Sequence, residues 1–273
     1  SFNPWYRGGQ TATPSRKDQT HVAIFDTIGP VTARGTKEAM TPIVSFHNTG
    51  VFVPDSKFRF KYANVQIVNF LARNKKYSEA LLENVIEEIE EGRKVLVITE
   101  RVHHGVSLME KLRIYGHKAV FLKGGVTKKE DNKGQGWCAE QLMLGELNCI
   151  IGTKVLNENW DVPPLDSIHL PFPNFGKETE EQRVGRVRRF MREKQYNFLK
   201  KHGIEWDKPQ PRVHVYTWTC SNDKKGGNYA AAAAGFRSNL YKKWNFDFDS
   251  SASTIETEHK KKTMKELLND DDE

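Results

Sequence analysis

Six basic side chains crowd one short stretch of this chain: Arg183, Arg186, Arg188, Arg189, Arg192 and Lys194. Guanidinium groups are planar and permanently charged, and their forked N–H donors match phosphate oxygens two at a time. Such a cluster repels itself unless an anion is near, so phosphate contact is the chemistry it suggests. Thr179 and Gln182 have the spacing of a capping box, and Glu180 and Glu181 fall in the first turn, where negative charge is favoured. A helix is therefore expected from about Glu180. On it Gln182, Arg186 and Arg189 follow at spacings of four and three, which puts them on one face. Gly185 within that helix costs about 1 kcal/mol relative to Ala, which implies a close approach to the same face.

The elements that would position these residues are legible upstream. Leu81, Leu82, Val85, Ile86 and Ile89 recur at helical spacing from Ser78, with Gly92 as a stop. Short apolar runs follow at Val95–Ile98, Ala119–Leu122, Cys149–Thr153, Ser167–Leu170 and Val213–Tyr216, separated by helical stretches near 105–115 and 139–144 and the helix from Glu180. Buried strands alternating with helices specify an α/β fold, a parallel sheet with helices on both faces. In such a sheet ligands bind at the carboxyl ends of the strands. Thr99-Glu100-Arg101, the 152–163 segment and the lead into the arginine segment all follow strands, so they are expected to converge on one rim. Tyr229–Trp244 reads as a further helix, Phe58–Tyr62 as a half-buried strand, and 250–273 as a disordered charged tail.

Composition narrows the partners. The chain has 273 residues, 42 Lys and Arg against 35 Asp and Glu, and a net charge of +7. The tail from Glu256 holds four Lys and seven acidic residues, so the rest carries 38 basic against 28 acidic, or +10. A basic body points to an anionic partner, most commonly nucleic acid. Mean hydropathy is -0.66, and no apolar run approaches the roughly 20 residues of a membrane span. No signal-peptide pattern opens the chain, so a cytoplasmic location is expected. Three scattered cysteines make neither a disulfide framework nor a zinc site, and the nine histidines form no metal pattern.

The arginine segment, Gln182-Arg183-Val184-Gly185-Arg186-Val187-Arg188-Arg189, resembles motif VI of superfamily 2 helicases, QRxGRxxR. Thr11-Ala12-Thr13-Pro14 resembles motif III. Gly152-Thr153 followed by Asn159-Trp160-Asp161-Val162-Pro163 resembles motif V, and Val95–Arg101 stands in the place of motif IV. The four occur in the family's order and look closest to phage and bacterial DEAD/DEAH-like helicases. One departure is Glu158-Asn159, where Glu-Gly is common; Asn tolerates left-handed backbone better than most residues.

The resemblance implies a RecA-like fold over residues 63–249, preceded in 1–62 by the end of a first RecA-like domain and a linker. It implies that Arg186 and Arg189 are arginine fingers for an ATP γ-phosphate, with Gln182 organising the contact. Asp161 would face the nucleotide or orient the fingers. Thr153, Arg101 and Gly125 would meet the DNA or RNA backbone, and Thr11 and Thr13 would couple hydrolysis to the strand. ATP with Mg²⁺ is the expected cofactor. Its phosphate loop and metal carboxylates are not in this sequence: GxxxxGK[ST] does not occur, and Asp270–Glu273 follows no strand. Both belong upstream of motif III. The chain is thus expected to be the C-terminal half of a longer or split helicase, working with an N-terminal RecA-like domain in cis or trans and inactive alone. The alternative is a non-catalytic nucleic-acid-binding module with a degenerate helicase fold.

Overall fold

The structure, a computed structural model, describes Val22, Asp26 and residues 38–54, 63–122, 134–153, 161–220 and 229–249. The chain divides between Ala39 and Met40 into two units, and every element below belongs to the second. Its strands are β1 Ile43–Val53, β2 Val95–Ile98, β3 Ala119–Leu122, β4 Cys149–Gly152, β5 Ser167–Leu170, β6 Arg212–Cys220 and β7 Asp247–Phe248. Its helices are α1 Ala63–Arg73, α2 Lys75–Glu90, α3 Val102–Ile114, α4 Gln135–Leu144, α5 Lys177–Val184, α6 Glu193–Lys201 and α7 Tyr229–Lys243.

The strands form one sheet in the order β3-β4-β2-β5-β6-β1-β7, and every pairing is parallel. This is the α/β architecture expected from the alternation of apolar runs and helices. All residues of β2, β4 and β5 are buried, as strands covered on both faces must be. Alternate side chains feed two cores. Val95, Val97, Cys149, Ile151 and Tyr216 join α1, α2 and α3 on one face. Leu96, Ile98, Ile150, Ile168, Leu170, Val213 and Val215 join α4, α5 and the end of α7 on the other.

Several elements leave little trace in the sequence pattern. β1 pairs with β6 inside the sheet, yet it lies ahead of the domain boundary expected at residue 63. Its apolar pattern is broken by Asn48 and by Gly50, whose φ of +60° sits where the register shifts between Asn48 and Phe52. β7 is two residues long, too short to show a period. α1 and α6 are additional helices; the Glu, Lys and Gln residues of α6 leave only Leu199 buried. The strand expected at Phe58–Tyr62 falls outside the described residues, as does the 250–273 tail. α2 starts at Lys75, three residues ahead of the Ser78 from which its pattern is read, because the Asn74 side chain caps it by accepting from Tyr77 N at 2.9 Å; the chain turns away at Gly92 with φ +82°.

The helix after β2 depends on one glycine. A Cβ on Gly105 of α3 would stand 2.3 Å from the Phe121 ring and 3.0 Å from the Thr99 methyl. Replacing Gly105 by Ala recovers about 1 kcal/mol of helix propensity but overpacks the contact of α3 with the sheet by roughly 3 kcal/mol. The expected outcome is a net loss of about 2 kcal/mol in urea unfolding. Gly134→Ala is the control, because a Cβ there meets nothing and φ is negative, and its stability should change little.

Candidate nucleotide and nucleic-acid site

β2 leads through α3 toward β3 on one side of the sheet, and β5 leads through α5 and α6 to β6 on the other. Their carboxyl ends therefore part at a topological switch point, where a crevice must open. A cavity of about 410 Å³ lies there, lined by Asn64, Glu100, Arg101, Asn174, Gln182 and Arg183 among others. Thr99, fully buried, builds the turn beside it: its Oγ1 accepts from Arg101 N at 3.3 Å and meets His104 Nδ1 at 3.1 Å. Burial lowers the His104 pKa to about 4, so the ring is neutral at pH 7. Arg183, almost wholly buried, is paired with Glu100 at 2.6 Å, which fixes α5 against the end of β2. Arg101 donates Nε to Asn69 at 2.6 Å and Nη1 to the Glu100 carbonyl at 2.9 Å, so its guanidinium is turned toward α1.

The helix that carries the arginine segment differs from expectation. It begins at Lys177 with Gly176 as N-cap and no side-chain cap bond, so the Thr179–Gln182 capping box does not form. It ends at Val184, with Gly185 as its C-cap. A Cβ on Gly185 would meet the Glu181 carbonyl at 2.9 Å, so the close approach comes from the preceding turn of its own chain. Arg186 and Arg189 therefore lie beyond the helix, and the shared helical face expected for Gln182, Arg186 and Arg189 is not present.

Nor do the polar segments all converge on one rim. Gln182 and Arg183 sit at the carboxyl ends of the strands. Arg188 sits by the amino ends, just ahead of β1. Its carbonyl accepts from Met40 N at 2.9 Å, and its Nε donates to the Met40 carbonyl at 2.9 Å. Its guanidinium also covers the Phe246 ring at 4.7 Å.

Beyond the exit from α5, Asp161 gathers the arginines. Its carboxylate pairs with Arg189 and with Arg192, the latter at 2.6 Å, and its N–H donates to Gln135 Oε1 at the start of α4 at 2.7 Å. Burial pushes the Asp161 carboxyl up, but hydrogen bonding and charge from Arg189, then Arg192, hold it below its usual range. Arg189 is about one-third exposed and Arg192 about two-thirds, whereas Arg186 is buried. Thr153 stands half-buried at the carboxyl end of β4. Gly125, Thr11, Thr13 and the 154–160 part of the motif V segment lie outside the described residues. Among the described residues no group of His, Cys, Asp and Glu could hold a metal ion, and no helix is long and apolar enough to cross a membrane.

Among the buried charge clusters that escape sequence reasoning, two flank β5. Glu180, fully buried on α5, pairs with Arg237 of α7 at 2.8 Å and accepts from Tyr241 and from Asn174 Nδ2 at 2.8 Å. Burial alone would raise its carboxyl; the Arg237 charge and these bonds hold it low. Arg237 also donates to the carbonyls of Leu170 and Phe172 at 3.1 and 2.9 Å, so α7 clamps α5 to the end of β5. The signal available is Arg237 and Tyr241 one helical turn apart on the buried face of an otherwise alanine-rich helix. The second cluster surrounds Asp166, ahead of β5, which burial pushes up to about 7 despite the Arg93 charge and the bond from Lys94 N.

The described residues thus form a parallel α/β sheet with a crevice at its switch point and, beyond α5, two arginines paired with one carboxylate. Residues 76–191 match the family model of the helicase conserved C-terminal domain. Among solved structures it overlays S. cerevisiae Dbp5 L327V bound to RNA and ADP BeF3 at TM-score 0.49 and 11% identity, covering 86% of this chain and 49% of that one. T4 UvsW overlays at TM-score 0.46 and 15% identity, covering 76% and 40%. The C-terminal domain of the DEAD-box protein Dbp5 overlays at TM-score 0.42 and 13% identity, covering 77% and 90%. The chain thus spans about half or less of the first two. No curated protein sequence matches it.

The Asp166 environment gives a pH dependence. An unfolded Asp releases its proton near 3.8, while the folded one holds it to about 7. Between these values the folded state binds more protons, so this group makes stability fall as pH rises, and its full cost is present above 7. Asp166→Asn keeps the acceptor for Lys94 N and removes the charge. Urea unfolding should show the variant about 2 kcal/mol more stable at pH 8 and equal to the wild type at pH 3.5, a difference below the roughly 4 kcal/mol that the shift sets as its ceiling.

Proposed function

We propose that this chain is the second RecA-like half of an ATP-dependent nucleic-acid helicase or translocase, and that Arg189 is its principal arginine finger. The observation that carries this reading is the Asp161 carboxylate holding Arg189 and Arg192 at a partly exposed surface while the neighbouring arginines are used internally. One carboxylate holds two partly exposed guanidiniums together, a pairing that would orient them in advance for the developing negative charge on a transferring phosphoryl group. ATP and Mg²⁺ would be held mainly by an N-terminal RecA-like domain in cis or trans, which supplies the phosphate loop and the metal carboxylates. Arg186, being buried, would support the Arg189 loop from behind, and Gln182, in the last turn of α5, would act from the crevice.

Assembled with that domain, the Arg189→Ala variant should lose about 10²-fold or more in ATP turnover, with nucleic-acid affinity little changed. Steady ATP hydrolysis by the chain alone, abolished by Arg186→Ala, would overturn the shared-site reading.

Thr153 and Arg101, at the carboxyl rim, are proposed to meet the DNA or RNA backbone, together with Gly125. Backbone contact predicts little sequence preference and steep salt dependence. Fluorescence anisotropy with single strands of different sequence should give similar affinities that fall linearly on a log–log plot against salt. The alternative of a degenerate, non-catalytic binding module predicts the same binding but no turnover defect on Arg189→Ala.

A further inference from the structure

The loop between α6 and β6 buries a lysine. Lys208 is 7% exposed, and its Nζ donates at 2.7 Å to the carbonyl of Pro163 and at 2.7 Å to the carbonyl of Arg189. Neither carbonyl belongs to a helix or strand, and the Pro163 carbonyl is in a buried stretch, so each needs a donor from elsewhere. A lysine ammonium is a compact point charge with three donors, able to serve two acceptors that come from different segments.

What those two carbonyls have in common is their neighbours. Pro163 follows Asp161 by two residues, and the other carbonyl is that of Arg189 itself. Asp161 and Arg189 are already joined through their side chains. The contacts therefore close a ring: Lys208 to the Pro163 carbonyl, along the chain to the Asp161 carboxylate, across to the Arg189 guanidinium, and back from the Arg189 carbonyl to Lys208. An ion pair as exposed as Asp161–Arg189 does little to fix a side chain by itself. A buried ammonium holding both backbones supplies the missing rigidity, helped by the fixed φ of Pro163 and Pro164. Burial lowers the Lys208 pKa to about 7; Asp166 favours the charge, Arg189 opposes it and Asp161 favours it, in that order of size, and the amine donates to both carbonyls in either form.

We propose that Lys208 is a positioning residue for Arg189: it sets the distance between the motif V and motif VI backbones so that Asp161 presents the Arg189 guanidinium in one orientation. The reading rests on Arg189 acting on the nucleotide, but the clamp can be tested apart from it. Lys208→Met removes every donor and keeps most of the length of the side chain; Lys208→Gln keeps a donor without the charge.

Two measurements separate the outcomes. In the full chain, the Arg189 Nε–Hε NMR signal should be protected from water exchange in the wild type. In Lys208→Met its exchange should rise about tenfold, as expected when a local contact opens more readily, with intermediate behaviour in Lys208→Gln and unchanged amide dispersion over the sheet. An unaltered Arg189 signal in a folded Lys208→Met chain would overturn the clamp, whatever the function. In the assembled ATPase, Lys208→Met should lower kcat about 10- to 100-fold by misplacing one group without raising KM. The Lys208→Met/Arg189→Ala double variant should be no slower than Arg189→Ala alone. Additive losses would mean that Lys208 merely stabilises the fold. If Arg189→Ala leaves turnover intact, the function proposed for Arg189 fails while the exchange measurement still decides the clamp.

Discussion

Burying or crowding a guanidinium is tolerable only where an anion or a set of carbonyls meets it, and that requirement shapes this domain. Six basic residues within the Arg183–Lys194 stretch cannot be folded into a compact structure unless the protein brings acceptors to them. It does so from several directions. Glu100 comes from the end of β2 to Arg183, the Met40 carbonyl from the approach to β1 to Arg188, and Asp161 from the approach to β5 to both Arg189 and Arg192. Each of these acceptors fixes one segment of chain against the arginine-rich one. The sheet order makes this possible, because β5 lies beside β2 and leads directly into α5.

The same helix is held by a charge it carries itself. Glu180 is inside the protein with Arg237, Tyr241 and Asn174 around it, an arrangement in which removing Arg237 strands a charge in an apolar setting. α7 thereby governs where α5 lies, although nothing on α7 reaches the crevice or the Asp161 group among the contacts described. α5 accordingly joins the switch-point crevice, which Thr179, Gln182 and Arg183 line, to the ordered arginines beyond its exit. A short helix pinned by ion pairs transmits a displacement as a unit, because packed elements do not deform continuously.

The architecture is readable in the sequence because buried parallel strands write themselves as apolar runs: Val95–Ile98, Ala119–Leu122 and Ser167–Leu170 match the observed strands to the residue. β1 does not read this way, because its Gly50 and Asn48 interrupt the pattern at a register shift. The candidate site is legible as residue types and not as geometry. The pairing of Asp161 with Arg189 follows no local periodicity, since Asp161 precedes β5 and Arg189 follows α5, and only the fold joins them. The capping box and the shared helical face of Arg186 and Arg189 are local inferences, and tertiary contacts override both. Arg183 and Arg188 are drawn out of any single face by Glu100 and Met40, which no spacing rule reveals. Lys208 and Glu180 are invisible for a related reason: in sequence a lone lysine or glutamate reads as solvated surface.

The unequal fates of the arginines carry the final step. In a solvated basic face the members would be similarly exposed and independently screened. Instead Arg183 and Arg186 are buried, Arg188 is half-buried against Phe246, and only toward Arg189 and Arg192 does exposure rise. The gradient runs outward along the chain and ends where one carboxylate orients two guanidiniums. An arrangement of that kind commits its internal acceptors to the arginines that build the scaffold and leaves the more exposed Arg189 and Arg192 grouped at Asp161. The guanidiniums that the fold leaves partly exposed are thereby held at one place, by a carboxylate from the approach to β5.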